Sequence, residues 1–437
     1  MKKTIVITLS SILLTMGLAG SCTAEEAEAK IVAAIPVTEV QNSGETLAGV
    51  RIEFSEEVPA TEVYSTALGD AFTARVDREV EYIYISESGE WGDVAAESGK
   101  YCFIDFADGS SNVQNYVNDI TFSEPDKTRG KIQFFVGQNK PITTVSGTVI
   151  GSGATMCSSN NGEMRLLIDD FEEFIWTDEE TGTEIYGYLY KPEGYEENTY
   201  PMVVHFPAGD RLYTEWNGGY RGALFTHQDV VVWASDEVQA ENPCFVLTIG
   251  EPVKDSITSE MYLKMVDEVV AQYGIDTSRL YAVAPASGAA LMFPAVLENP
   301  DKFAALLQCS DNVYHEFETE EETEQAFIQM TDSMPTWFFA ASDYNDVRVQ
   351  QLALAVNEQG SNIDVTVGEQ MWNGQLRGEA AAELAREQVA RAQANGSDDM
   401  VTIFRANTVK GVGHWSWNES FTNAGVWEWL FAQSLDK

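Results

Sequence analysis

The chain has 437 residues, 44% of them hydrophobic and 11% aromatic, enough for two folded domains and too apolar for a disordered segment. Its formal charge of −43 argues against nucleic acid as a partner, because gripping phosphates needs patches of lysine and arginine. So acidic a surface suits an exported protein and says little about the substrate.

In chain order, residues 1–22 read as a targeting segment. Lys2 and Lys3 precede an apolar run from Thr4 to Leu18, and Ala19-Gly20-Ser21-Cys22 forms a small-residue cleavage site. A cysteine closing such a run resembles the lipobox of bacterial lipoproteins. Cys22 would then be the lipidated first residue, anchoring the chain at the extracellular face of the membrane, with more than one acyl chain needed for a stable hold. An ordinary signal peptide and a secreted protein is the alternative. No later stretch is apolar over the roughly 18 residues that a membrane helix needs. The remaining Cys102, Cys157, Cys244 and Cys309 are too scattered for a disulfide framework and contain no C-x-x-C pair, so buried thiols are expected.

After an acidic linker at 23–30, residues 31–160 turn strand-rich. "AGVRIEFSEEV", "REVEYIYIS", "GKYCFIDFAD" and "GKIQFFVGQ" alternate apolar and polar residues between Gly, Ser, Asn and Asp clusters, which predicts a small all-β sandwich. Nothing in it looks catalytic.

Residues 164–437 change grammar. Buried strands such as "CFVLTIG", "RLYAVA" and "TWFFAA" alternate with helices such as "TSEMYLKMVDEVVAQYG". That pattern predicts an α/β domain, a mostly parallel doubly wound sheet covered on both faces, with ligands bound beyond the carboxyl ends of the strands. "IDDFEEF" and "HEFETEEETEQ" gather carboxylates, but their patterns suit an exposed strand edge and a solvated helix face. The helix-rich segment Gly374 to Gly396 reads as a surface helix in preference to a cap over the site.

One stretch carries the shape of a reactive turn. "RLYAVAPASGAALM" (Arg279 to Met292) reads as strand, tight turn and helix, the local form of a nucleophile elbow. Its small-x-nucleophile-x-Gly frame falls on Ala284 to Gly288. The tip is Ala286, and Ser287 comes one place late.

These segments resemble a known family. "YLYKPEGY…YPMVV", "NPCFVLTIGEP", "YGIDTSRLYAVAPASGAA", "NPDKFAALLQCSD" and "GVGHWSWNESF…VWEWLFAQ" occur in the order found in exported esterases related to feruloyl esterases and polyhydroxybutyrate depolymerases, specifically those with an N-terminal immunoglobulin-like domain. The resemblance implies an α/β-hydrolase fold and serine-ester chemistry without metal or cofactor. In the family the nucleophile stands seven residues after the strand arginine, here Arg279, and fourteen before a proline, here Pro300. Both spacings assign the nucleophile position to Ala286. The family histidine corresponds to His414, and the acid to Asp343, with Asp346 as competitor. The family's oxyanion turn corresponds to Pro207-Ala208-Gly209-Asp210, where proline has no N–H to donate, and Ser287 takes the place whose N–H completes the hole. The His-Gly usually found before the acid is Ala340-Ala341. Trp415 and Trp417, beside His414, either pack in the core or line a sugar or phenolic pocket.

Two functions are therefore expected. One is a degenerate, inactive or weakly active hydrolase that binds an ester, glycan or polymer ligand. The other is an active carboxylesterase using Ser287 with His414 and Asp343.

Overall fold

The computed structural model describes residues 29–41, 44–63, 72–74, 79–107, 131–208, 222–250, 256–310, 317–344 and 347–436. The targeting segment with Cys22, and Gly209, Asp210 and Asp346, lie outside them.

The first domain is a two-layer β-sandwich. Its strands are β1 (Ile31–Gln41), β2 (Gly44–Pro59), β3 (Phe72–Ala74), β4 (Val80–Ser86), β5 (Ser98–Phe106), β6 (Gln133–Gln138), β7 (Ile142–Thr143), β8 (Val149–Ile150) and β9 (Gly153–Ser158). One sheet runs β1-β2-β5-β4, and β3-β6-β9 forms the other. Alternate residues of both point into one core, where Val50, Ile52, Ile104 and Cys102 meet Phe72, Phe134, Val136 and Cys157. One boundary differs from the sequence reading. Met164 and Arg165, assigned there to the second domain, form β10 and pair in parallel with β1, because the open edge of β1 offers them backbone partners.

The second domain carries β11 (Glu172–Thr177), β12 (Glu184–Tyr190), β13 (Tyr200–His205), β14 (Phe245–Gly250), β15 (Ile275–Pro285), β16 (Ala305–Cys309), β17 (Thr336–Ala341), β18 (Asp364–Val365) and β19 (Met400–Phe404). They form one sheet in the order β11-β12-β14-β13-β15-β16-β17-β19-β18. The β11–β12 and β12–β14 pairs are antiparallel, and the rest of the sheet is parallel.

Among its helices are α1 (Gly222–Thr226), α2 (Gln228–Val231), α3 (Ser259–Gln272), α4 (Ala289–Glu298), α5 (Glu320–Ser333), α6 (Arg348–Glu358), α7 (Glu379–Ala394), α8 (Trp417–Ser420) and α9 (Ala424–Phe431), with a further short helix at Asp236–Glu241. The cluster around Met202, Val204, Ala282 and Phe338 seats α3 to α6 on one face. The cluster around Val203, Tyr281, Val283 and Trp337 seats α1, α2, α7 and α9 on the other. Parallel strands buried on both faces need such a covering, so the continuous apolar runs in the sequence are explained.

The carboxylate-rich segments fall where expected. β11, with Glu172 and Glu173, is the sheet edge, and Glu320 to Glu322 open α5 behind a capping box from Thr319. α7 lies beside α9 and the β18–β19 edge as a surface helix.

Candidate functional site

The site is built from loops at the carboxyl ends of β13, β15, β17 and β19. β15 lies between β13 and β16 in the sheet, with Tyr281 to Ala284 buried, and ends at Pro285. The chain then turns through a single 3₁₀ turn, Ala286 to Gly288, into α4. Ala286 stands at φ 43 in the left-handed region, which costs a residue with a Cβ about 1–2 kcal/mol. Gly288 makes the turn this tight, since a Cβ there would run into the carbonyl oxygen of Phe206 at the end of β13. Ala286 is only 7% exposed, whereas Ser287 faces solvent. The strained tip of the elbow is therefore present, and its side chain is a methyl group.

Phe206 donates its backbone N–H to the Val283 carbonyl at 2.8 Å, placing the following Pro207 beside the elbow. Pro207 and Ala208 are buried there. Proline has no N–H, so this turn offers one backbone donor fewer beside the elbow.

His414 enters on the loop after β19, in the turn Gly413–Trp415 that leads into α8. Its imidazole packs at a tilt against Tyr344, 4.7 Å between ring centroids, and meets Trp417 edge-on at 5.1 Å. Asp343, in the turn after β17, lies against Gly413. Its Oδ2 accepts the Asn407 backbone N–H at 2.8 Å. The structure thus brings Asp343 and the His414 loop together. Trp417 is 1% exposed and packs as core, while Trp415 remains partly exposed.

Two histidines escaped the sequence reading. His227, at the N-cap of α2, is buried against Trp415 and Trp417, with ring centroids 5.5 and 5.4 Å away. Trp417 thus lies between two imidazoles. His205 is wholly buried on β13. Its Nδ1 lies 3.0 Å from Thr248 Oγ1 and its Nε2 lies 3.1 Å from Asp229 Oδ2. Hydroxyl, imidazole and carboxylate follow in the order of a catalytic triad, but all three are buried in the core, where no substrate reaches them. They fasten α2 to β13 and β14. A histidine inside the apolar run "MVVHF" was the available signal, since a buried imidazole needs partners.

Glu419, on α8, closes the base of the His414 loop. Its Oε1 accepts the Lys410 N–H at 3.1 Å and Arg377 Nη2 at 3.2 Å. Burial pushes its carboxyl up to about 7, only partly offset by these donors. Cys102, Cys157, Cys244 and Cys309 are buried thiols, as expected. Burial pushes the Cys244 thiol up to about 12 and those of Cys102 and Cys157 higher still. Among the described residues no three His, Cys, Asp or Glu side chains gather as a metal ion would require.

Residues 33–151 match the family model described as the esterase Ig-like N-terminal domain. Across the whole chain, the crystal structure of a thermostable esterase is similar, with a TM-score of 0.66 and 23% identity, covering 92% of this chain and 100% of that one. The fold is an α/β-hydrolase fold behind an immunoglobulin-like domain. The resemblance seen in the sequence is borne out at that level.

Weaker likenesses include the BES protein from Bacillus cereus, at 12% identity and a TM-score of 0.35 over 57% of this chain and 92% of that one. A feruloyl esterase module from Clostridium thermocellum is 10% identical with a TM-score of 0.39, over 59% of this chain and 87% of that one. No curated protein matches the chain.

Proposed function

We propose that this chain is an exported α/β-hydrolase that has lost its nucleophile and acts by binding an ester, glycan or polymer ligand at the old site. The observation that carries this reading is Ala286 at φ 43, at the tip of an otherwise complete elbow. Acyl transfer begins with an oxygen or sulfur nucleophile beside a base, and a methyl group supplies neither. Ser287 is exposed on the following residue. Pro207 withholds an N–H from the developing oxyanion. His414 and the partly exposed Trp415 are left to shape a binding surface. Anchoring through a lipidated Cys22 belongs to the same proposal.

The reading is tested with short-chain and phenolic esters on the purified protein beside a Ser287→Ala variant. Equal rates in the two proteins are expected. A saturable rate with p-nitrophenyl acetate that vanishes in Ser287→Ala would contradict the proposal and establish a displaced-serine esterase.

A further inference from the structure

We propose that Asp343 is a positioning residue that clamps the 405–413 loop, and that its carboxylate does not orient the His414 imidazole. The inference rests on the reading of His414 as the base position of the site, and on nothing about turnover.

Oδ2 of Asp343 accepts the backbone N–H of Asn407 at 2.8 Å. Asn407 stands at φ 59, a left-handed conformation that asparagine adopts more readily than most residues with a Cβ, and the bond to Asp343 ties it there. Oδ1 lies against Gly413, where a Cβ would collide with it. Gly413 directly precedes His414. One carboxylate therefore bonds the loop near its start and packs against it at its end. The roots of the two turns are also tied, because Ser342 donates its N–H to the Phe404 carbonyl at 2.9 Å.

An acid that orients a histidine accepts the imidazole N–H within about 3.2 Å. Among the described residues, the donor to Asp343 is the main-chain amide of Asn407. Both roles put a carboxylate beside the histidine, so spacing along the chain cannot separate them.

The test uses the full chain with ¹³C-labelled histidine, the His414 signal being assigned by its loss in His414→Gln. The pKa of His414 and hydrogen exchange of the 405–413 amides are followed in the parent, Asp343→Asn and Asp343→Ala. Asparagine keeps an oxygen for the Asn407 N–H but removes the charge. Asp343→Asn is expected to keep loop exchange within about twofold of the parent and to move the His414 pKa by less than about 0.5. Asp343→Ala is expected to speed loop exchange about tenfold, as loss of one hydrogen bond does. A fall of about 1 or more in the His414 pKa in Asp343→Asn marks a lost ionic partner and overturns the proposal. So does unchanged exchange in Asp343→Ala. Neither readout involves ester hydrolysis, so a failure of the binding-protein reading is seen separately in the ester assay.

Discussion

Ala286 and Gly288 set the geometry of the turn between β15 and α4. The strain at Ala286 is held by its surroundings, because the backbone at Gly288 is wedged against Phe206 and β15 is buried on both faces. Gly288→Ala should therefore destabilise the protein by about 1–3 kcal/mol through overpacking, measured by urea unfolding, whereas Ser287→Ala on the exposed side should cost under about 0.5 kcal/mol. Equal effects of the two changes would mean that the turn is not wedged. Glu419 gives a pH signature at the same scale. Its folded pKa of about 7 lies above its ordinary 4.5, so the folded protein holds a proton that the unfolded chain releases between those values. Its stabilising contribution is present below about 4.5 and is lost as the pH rises through about 7. Asp399 is raised to about 7 by burial and adds a fall of the same sign. Glu419→Gln keeps an acceptor for Lys410 and should flatten part of the decline in melting temperature between pH 5 and about 7.5. An unchanged slope would show that Glu419 does not titrate there.

At the scale of elements, the strands and helices of the second domain were legible because their periods are strong. "CFVLTIG" is buried at every position of β14, and "TSEMYLKMVDEVVAQYG" places Tyr262, Met265, Val266 and Val269 on one buried face of α3. The elbow was legible too, because strand, turn and helix are local in sequence. What joins α2 to the sheet was not. His205, Thr248 and Asp229 come from three separate segments, and only the folded sheet makes them neighbours. His227 was missed for the same reason, since its partners Trp415 and Trp417 lie far along the chain. The place of Asp343 was half legible: the family resemblance put it near His414, but its bond from the Asn407 amide joins residues 64 apart and has no local signal. Asp229→Ala removes the hydrogen bond between Asp229 and the buried His205 imidazole and should destabilise the protein by about 1–3 kcal/mol. Urea unfolding measures this, and a cost under about 1 kcal/mol would show that the pair does not hold α2.

At the scale of the molecule, the two domains share structure beyond a linker. β10 extends the first domain's sheet, and Val40 of β1 packs in the second domain's core beside Leu224 and Phe225 of α1. The seam therefore abuts the α1–α2 segment that carries His227 toward the site. The architecture was readable as a sandwich followed by a doubly wound sheet. The seam was not, because "GEMR" at 162–165 has no period of its own and becomes a strand only against β1. The function proposed above places an interruption of the chemistry at Ala286 and Pro207 within the α/β-hydrolase fold. The most direct test is fluorophosphonate labelling of the parent, Ala286→Ser and Ala286→Ser with His414→Ala. The parent should remain unlabelled. Ala286→Ser should label slowly and only with His414 present, because the missing donor at Pro207 typically costs about 10²–10³ in rate. Labelling of the parent that disappears in Ser287→Ala, or Ala286→Ser that labels no faster than the parent, would contradict the claim that a standing elbow has lost only its nucleophile.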